Sequence, residues 1–290
     1  MPWEVVREQD FIAARPSYED ARVVVVGAPL DATGSFRPGT RGGPAAIRAM
    51  SYCLEEYSLD LDRDLRTVPF HDLGDVALPP GDVEEGLRRI EAVVTRILDD
   101  GKTPVIFGGE HLVTLPAVRA VARRCPSLAV VQLDAHADLR ADYLGVALSH
   151  ATVMRRVGDF LGRGNLYQFG IRSADGEEME VARESGAFHT HRVLPGLESA
   201  IAALKDRPVY VTLDVDVVDP AFAPGVGTPE PAGVSPQEIL EAVRLLGNLQ
   251  IAGWDVVEVN PAYDPAGITA LLAAKIVREA LLTMSRHRGV

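Results

Sequence analysis

A chain of 290 residues that is 47% hydrophobic, with a mean hydropathy of +0.07, is long enough to bury a sizeable core, which excludes disorder as its main character. A formal net charge of −12 argues against nucleic acid or an anionic membrane as partner, because phosphate-rich surfaces are gripped through basic patches that the sequence nowhere concentrates. A small cationic or neutral substrate suits the charge better.

Residues 1–8 carry neither a basic region nor an apolar run of the kind that begins a secretory leader. No apolar stretch reaches the roughly 18 residues of a membrane span, so the expectation is a cytoplasmic protein. Arg22–Ala28 is a short apolar run and predicts a strand. The Pro/Gly-rich segment 37–44 predicts sharp turns, as do 79–81 and 224–233. Over Val83–Asp99, Leu87, Ile90, Val94 and Ile97 recur at three- and four-residue spacing, the signature of a helix with one buried face. Pro104–Phe107 predicts the next strand and Pro116–Arg124 the helix after it.

Further strands are expected at Leu128–Leu133, Leu166–Phe169, Val209–Leu213 and Ile251–Val257, with helices at Pro236–Leu246 and Ile268–Thr283. Ser235-Pro236-Gln237-Glu238 has the polar cap, the proline and the early acid of a helix start. Most of the strands are uninterrupted apolar runs, as strands buried on both faces of a parallel sheet require. Strand and helix alternate from end to end, which predicts an α/β fold. With no repeat, low-complexity tract or linker, residues 1–290 read as a single domain. Cys53 and Cys125 are too few for a disulfide framework or a thiolate metal site, and both are expected as small buried apolar residues.

Four polar groups occupy the same relative place, directly after a strand. They are Gly108-Gly109-Glu110-His111, Asp134-Ala135-His136-Ala137-Asp138, Asp214-Val215-Asp216, and Glu258. The carboxyl ends of parallel strands face one rim, so residues remote in sequence converge there. Side chains two apart in extended chain point the same way, so each acidic cluster can aim its polar groups into a shared cavity. The ligand inventory is His111, Asp134, His136, Asp138, Asp214 and Asp216. Four carboxylates crowded together need compensating charge, and two divalent cations would supply it. Carboxylate and imidazole without thiolate favour Mn²⁺ over zinc.

Each motif also has a bland reading. An isolated Asp-x-Asp after a strand often caps a turn, and His150 in Leu148-Ser149-His150-Ala151-Thr152 could be a surface or cap residue. The conjunction of three ligand-bearing clusters is what favours a metal site. Glu258, at the end of an apolar strand, is a costly place for a carboxylate unless it meets a cation or a metal-held water, and a guanidinium ligand would satisfy it.

The same segments, together with Arg37-Pro38-Gly39-Thr40-Arg41-Gly42-Gly43-Pro44-Ala45-Ala46-Ile47-Arg48, the run from Asp214 to Pro229, and Val257-Glu258-Val259-Asn260-Pro261, resemble the arginase/agmatinase/ureohydrolase family from about residue 22 to 282. The resemblance implies a three-layer α/β/α domain with a mostly parallel central sheet and two Mn²⁺ per subunit. It implies one ion on His111, Asp134, Asp138 and Asp214 and the other on His136, Asp134, Asp214 and Asp216, with a hydroxide between them as nucleophile. Asp138 would hold that hydroxide and pass a proton to the leaving amine, His150 would shuttle protons, and Glu258 would pair with the substrate guanidinium.

The implied reaction releases urea and an amine, putrescine if the substrate is agmatine, and would serve polyamine biosynthesis. A homo-oligomer, trimer or hexamer, is implied as well. Two departures stand out. Many family members have Asp where this chain has Glu110, so the contact orienting His111 must reach differently. The polar segment with which arginases hold the substrate's α-carboxylate and α-amino group is missing between Asp138 and His150, which argues against arginine and for a decarboxylated substrate. Arg140 in that stretch keeps guanidino acids in play, and the alternative reading is a ureohydrolase of another guanidino substrate: aminopropylagmatine, guanidinobutyrate or arginine. The Pro224–Gly233 loop and the Arg37–Ile47 segment are expected to be structural, and Arg172 and Arg192 to be surface or interface charges. A single-zinc deacetylase would want a paired-histidine base, and the sequence has no His-His dipeptide. A catalytically dead binding protein would be expected to have lost a ligand, and none is lost.

Overall fold

A computed structural model describes residues 4–284, so the first three residues of the leader reading and the last six of the chain lie outside the described residues. In chain order the strands are β1 (Val5–Val6), β2 (Val23–Ala28), β3 (Tyr57–Ser58), β4 (Arg63–Asp64), β5 (Phe70–Val76), β6 (Thr103–Gly108), β7 (Ala129–Leu133), β8 (Leu166–Ile171), β9 (Ala187–Thr190), β10 (Pro208–Asp214) and β11 (Gln250–Val257). The helices are α1 (Gly43–Ser51), α2 (Val83–Asp99), α3 (Thr114–Arg124), α4 (Val153–Leu161), α5 (Gly176–Ala182), α6 (Leu194–Leu204), α7 (Pro236–Leu246) and α8 (Ile268–Met284).

Nine strands form one sheet in the order β1-β5-β2-β6-β11-β10-β7-β8-β9, parallel throughout except for the antiparallel edge pair β1 and β5. Alternation along each strand divides the apolar side chains between two cores. Val23, Val25, Val105 and Phe107 pack with residues of α1, α6, α7 and α8. Val24, Val26 and Ile106 pack on the other face with residues of α2, α3 and α4. The result is the three-layer α/β/α architecture expected from the sequence.

The six expected strands and four expected helices are all present, with ends displaced by a few residues. The helix starts obey local chemistry: the Asp82 side chain accepts from Glu85 N–H at 2.9 Å to cap α2, and Ser235 accepts from Glu238 N–H at 3.2 Å to cap α7. Strand β5, Phe-His-Asp-Leu-Gly-Asp-Val, lacks the apolar run of its neighbours yet is almost wholly buried. Its Asp72 accepts two hydrogen bonds from the buried Arg48 guanidinium of α1, at 2.8 and 2.9 Å. That bidentate pair is what lets an acidic strand lie inside the molecule. The cysteine expectation fails: Cys53 is exposed and Cys125 half-buried, both as free thiols, because each lies at or beyond the C-terminal end of a helix, where the chain leaves the core.

Candidate metal centre

Strands β6, β11, β10 and β7 are consecutive in the sheet, and their carboxyl ends lie nearly level, with Leu213 opposite Leu133 and Asp214 opposite Val257. The segments leaving these strand ends therefore meet at one rim. The turn after β6 is possible only with glycine at 109: a Cβ there would fall 1.9 Å from the Leu30 carbonyl oxygen, because Glu110 N–H donates to that oxygen at 2.7 Å. This close approach sets His111 at the start of a short 3-10 turn, facing the ends of β7 and β10.

His111 Nδ1 lies 3.1 Å from Asp134 Oδ2, 3.0 Å from Asp138 Oδ2 and 3.4 Å from Asp214 Oδ2, yet it is a buried atom with no aligned hydrogen bond. One nitrogen and three carboxylate oxygens crowded at these distances match the donor set of a cation's shell rather than a hydrogen-bond network. A second group joins His136 Nδ1 to Asp216 Oδ2 at 2.9 Å and to Asp134 Oδ1 at 3.7 Å. Asp134 belongs to both groups able to hold a metal ion. Backbone N–H groups fix the carboxylates in place: His136 donates to Asp134 Oδ1 at 2.6 Å, Ala135 to Asp216 Oδ1 at 3.1 Å, and Asp216 to Asp214 Oδ1 at 2.8 Å. Asp214 and Asp216 thus turn Oδ2 to the imidazoles, while Asp134 faces His111 with Oδ2 and His136 with Oδ1.

The electrostatics show what a cation would relieve. Burial pulls the His111 imidazole down, but Asp134 and Asp138 outweigh it and hold the ring well above its ordinary value. His136 is raised likewise, Asp216 and Asp134 overcoming its burial. Burial, followed by the charge of Asp134, pushes Asp138 up to about 7. Burial and the neighbouring Asp216 and Asp134 drive Asp214 well upward. Against its own burial, Asp134 is held low by the two imidazoles. Without metal, these groups must hold protons to tolerate one another.

Glu258 follows β11 with φ of 65° and Asp138 has φ of 54°, a left-handed region that costs a non-glycine residue on the order of 1–2 kcal/mol. The backbone strain turns both carboxylates toward the rim. Glu258 Oε1 accepts from His111 N–H at 2.8 Å, and burial pushes its carboxyl up to about 8. Its Oε2 has room because residue 227 is glycine, where a Cβ would come within 2.9 Å of it. Glu258 lines a cleft together with Glu110, His150, Arg37 and Thr228. The His150 ring nitrogen is held low, to about 4, by burial and by the charges of His136 and His111.

Several expectations need correcting. Glu110 does not reach the His111 ring; its Oε2 accepts from the N–H groups of Ala32 and Thr33, both at 2.7 Å, and its Oε1 accepts from the Thr33 hydroxyl at 2.8 Å. The His111 ring is oriented instead by Thr212, whose Oγ1 lies 2.9 Å from Nε2, leaving Nδ1 to face the carboxylates. Thr114 extends this contact to the buried Asp255, which also accepts from the Tyr210 hydroxyl. Gln132 donates to Asp134 Oδ2 at 2.6 Å and is itself held by Gln168. Thr212 and Gln132 each lie on a strand two positions before a candidate ligand at or just past its end, so the period-2 rule could have found them.

Arg172 is not a surface charge: its guanidinium donates to the carbonyls of Gly170, Asp216, Val217, Glu230 and Pro231, tying the segment after β10 to the 224–233 loop. Nothing in an isolated arginine signals this role. Arg192 is exposed and pairs with Glu238. Arg140 pairs with Asp175 at 3.1 Å and lies 3.6 Å from Glu178, so its charge is committed to the start of α5. The Arg37–Ile47 segment is partly helical rather than all turn, since α1 starts at Gly43.

The arginase family model matches residues 21–283. An agmatinase of Bacillus anthracis is 47% identical over 275 residues, covering 94% of this chain and 95% of its own, and one of Bacillus subtilis is 46% identical with the same coverage. Among solved structures, the agmatine ureohydrolase of Thermoplasma volcanium superposes with a TM-score of 0.87 at 36% identity, covering 96% of this chain and 95% of its own. The proclavaminate amidino hydrolase from Streptomyces clavuligerus superposes with a TM-score of 0.89 at 34% identity, covering 99% of this chain and all of its own. Sheet order, rim chemistry and similarity along nearly the whole chain agree: the protein belongs to the arginase family.

Proposed function

We propose that the protein is a binuclear manganese hydrolase that cleaves the guanidinium group of agmatine to urea and putrescine. The observation that carries this reading is His111 Nδ1, buried and unpaired among three carboxylate oxygens at 3.0–3.4 Å, beside a second such group that shares Asp134. His111, Asp134, Asp138 and Asp214 would hold one ion, and His136, Asp134, Asp214 and Asp216 the other. A donor set of carboxylates and imidazoles suits Mn²⁺. When bound, two such cations supply the positive charge that makes a water nucleophilic at neutral pH.

The remaining work falls to side chains. Glu258 presents Oε2 to the cleft while its Oε1 is held by His111 N–H, so a planar guanidinium can pair with it from the open side. A bound cation draws the buried carboxyl back to its charged form. Asp138, aimed into the same space, takes the proton released as the guanidinium carbon is attacked and returns it to the departing amine. His150, across the cleft, exchanges protons with solvent.

The decarboxylated substrate is supported by Arg140, whose charge is already neutralised by Asp175 and Glu178, and by the agmatinase relatives. A guanidino acid such as guanidinobutyrate is the second reading, favoured by Arg37, which lines the cleft with its guanidinium between the rings of Phe36 and Tyr263 and in no ion pair among the described residues. The chain is read further as one ureohydrolase domain, because a single continuous sheet runs through it. A cytoplasmic location suits its two free thiols, and a trimer or hexamer is the assembly expected of the family. Among the described residues no helix is long and apolar enough to cross a membrane.

The test is release of urea by Mn²⁺-loaded protein from a panel of agmatine, aminopropylagmatine, guanidinobutyrate and arginine, with Asp134→Ala and Asp216→Ala as controls. Agmatine turning over fastest supports the reading. Equal turnover in either control removes the metal assignment, and light scattering reads the assembly.

A further inference from the structure

A hydroxyl has one proton to donate, and the Thr33 hydroxyl has three polar neighbours. Its Oγ1 lies 2.8 Å from Glu110 Oε1, accepts from His150 N–H at 3.0 Å, and lies 3.3 Å from His150 Nδ1. Glu110 settles where the proton goes. Burial raises its carboxyl, but both of its oxygens lie on donors, Oε2 on the N–H groups of Ala32 and Thr33 and Oε1 on the Thr33 hydroxyl, a set that fixes the group's orientation and suits a carboxylate that only accepts. The Thr33 proton is therefore spent on Glu110, and the hydroxyl can only accept from His150. Nδ1 must then carry the imidazole proton, which leaves the lone pair on Nε2. Tyr143 packs edge-on against the ring, its centroid 5.7 Å away, and limits rotation out of this arrangement.

We propose that Thr33 and Glu110 are positioning residues that lock His150 in the Nδ1–H tautomer, so that Nε2 is the atom that accepts and returns protons at the mouth of the site. The proposal rests on the reading of His150 as a proton shuttle. It also gives the glutamate at 110 a purpose: the carboxylate reaches away from His111 to set the polarity of a relay that ends on a different histidine.

The direction of the Thr33 hydroxyl in the relay can be reversed. In Glu110→Gln the carbonyl oxygen stays on the two backbone N–H groups, so the amide NH₂ replaces Oε1 and donates to Thr33. The Thr33 hydroxyl is then free to donate to His150 Nδ1, and the ring proton moves to Nε2. Thr33→Val removes the relay, whereas Thr33→Ser keeps it.

The experiment measures kcat and KM for agmatine in Mn²⁺-loaded Glu110→Gln, Thr33→Val and Thr33→Ser, each alone and combined with His150→Asn, with metal content checked at two ions per chain. General acid–base catalysis contributes on the order of a hundredfold or more, so His150→Asn should lower kcat by about that factor. Glu110→Gln and Thr33→Val should each lower kcat by about tenfold with KM little changed, the worth of one oriented hydrogen bond. Thr33→Ser should stay within about threefold, and neither harmful substitution should cost anything further once His150 is Asn. Equal losses with and without His150 would overturn the proposal.

Should His150→Asn be fully active, the shuttle reading fails while the tautomer remains testable. In ¹⁵N-histidine-labelled protein loaded with diamagnetic Zn²⁺, the signal missing from His150→Asn should show its proton on Nδ1 in the unaltered protein and on Nε2 in Glu110→Gln. One tautomer in both proteins, or Nε2–H in the unaltered one, overturns the inference.

Discussion

Replacing Thr212 by Val would remove one oxygen from the centre of the molecule and almost no volume. Thr212 is fully buried, and its Oγ1 is the 2.9 Å partner that holds the His111 ring by Nε2. Without it the ring N–H is orphaned in the interior, which costs about 1–3 kcal/mol. That penalty falls on the one ring orientation in which Nδ1 meets Asp134, Asp138 and Asp214, so it should appear mainly in metal affinity. At 1.4 kcal/mol per decade, Thr212→Val should weaken binding at the His111 site by about 10- to 100-fold, the range typical of partners that orient a ligand. The site built on His136 and Asp216 should change by less than about threefold, since neither contacts Thr212 in the structure. Titration of Mn²⁺ into metal-stripped protein, followed by calorimetry, would resolve the two events. If both weaken equally, or neither does, Thr212 does not act through His111.

Metal removal should make stability fall as pH rises. In metal-free protein His111 and His136 are raised, so their contribution is full below the ordinary imidazole value near 6.5 and lost as pH rises. Asp138, raised to about 7, and Glu258, raised to about 8, favour the fold only while protonated, and each loses ground from about pH 4 upward. The depressed Asp134 is already fully stabilising above about pH 4, and His150, lowered to about 4, gains stability only up to about pH 6.5 and is outweighed there by the two raised carboxyls. The melting temperature of metal-free protein should therefore fall between about pH 5 and pH 8.5, and saturating Mn²⁺ should abolish the fall; a metal-free melting temperature that rises with pH would contradict this.

Arg172→Ala should cost about 2–4 kcal/mol in denaturant unfolding, because carbonyls of β8, of the segment after β10 and of the 224–233 loop lose a charged donor. Arg172→Lys should not restore it, since a point charge cannot span the same carbonyls. Gly109→Ala should cost more than about 3 kcal/mol or abolish soluble expression, given a Cβ 1.9 Å from the Leu30 carbonyl, whereas Gly176→Ala, with open space around its Cβ, should be tolerated.

The strands legible from sequence were those whose side chains settle the matter locally. Four successive valines in β2 or the apolar run of β7 have no comfortable place except a sheet covered on both sides. Strand β5 and the short edge strand β9 escaped notice because their burial depends on partners elsewhere: Asp72 on Arg48, and Phe188 and His189 on the neighbouring β8. Helices α1, α4, α5 and α6 were hidden in the same way, α5 by a short polar sequence that begins with an Asp175–Glu178 capping box. The cysteines were misread because composition cannot tell a helix end from a core.

For the candidate site, apolar runs are enough to place these side chains at strand ends, since strand periodicity and the parallel arrangement are their local consequences. The residue types alone show that four acids at one rim demand a countercharge. How those side chains are held depends on contacts made across the fold. Thr212 reaches His111, Gln132 reaches Asp134, Thr33 reaches His150 and Arg172 spans two loops because strand order and register bring them together. The orientation of the two key histidines is set by hydrogen-bonding groups 101 and 117 positions away along the chain, and no pattern read along the chain encodes that distance.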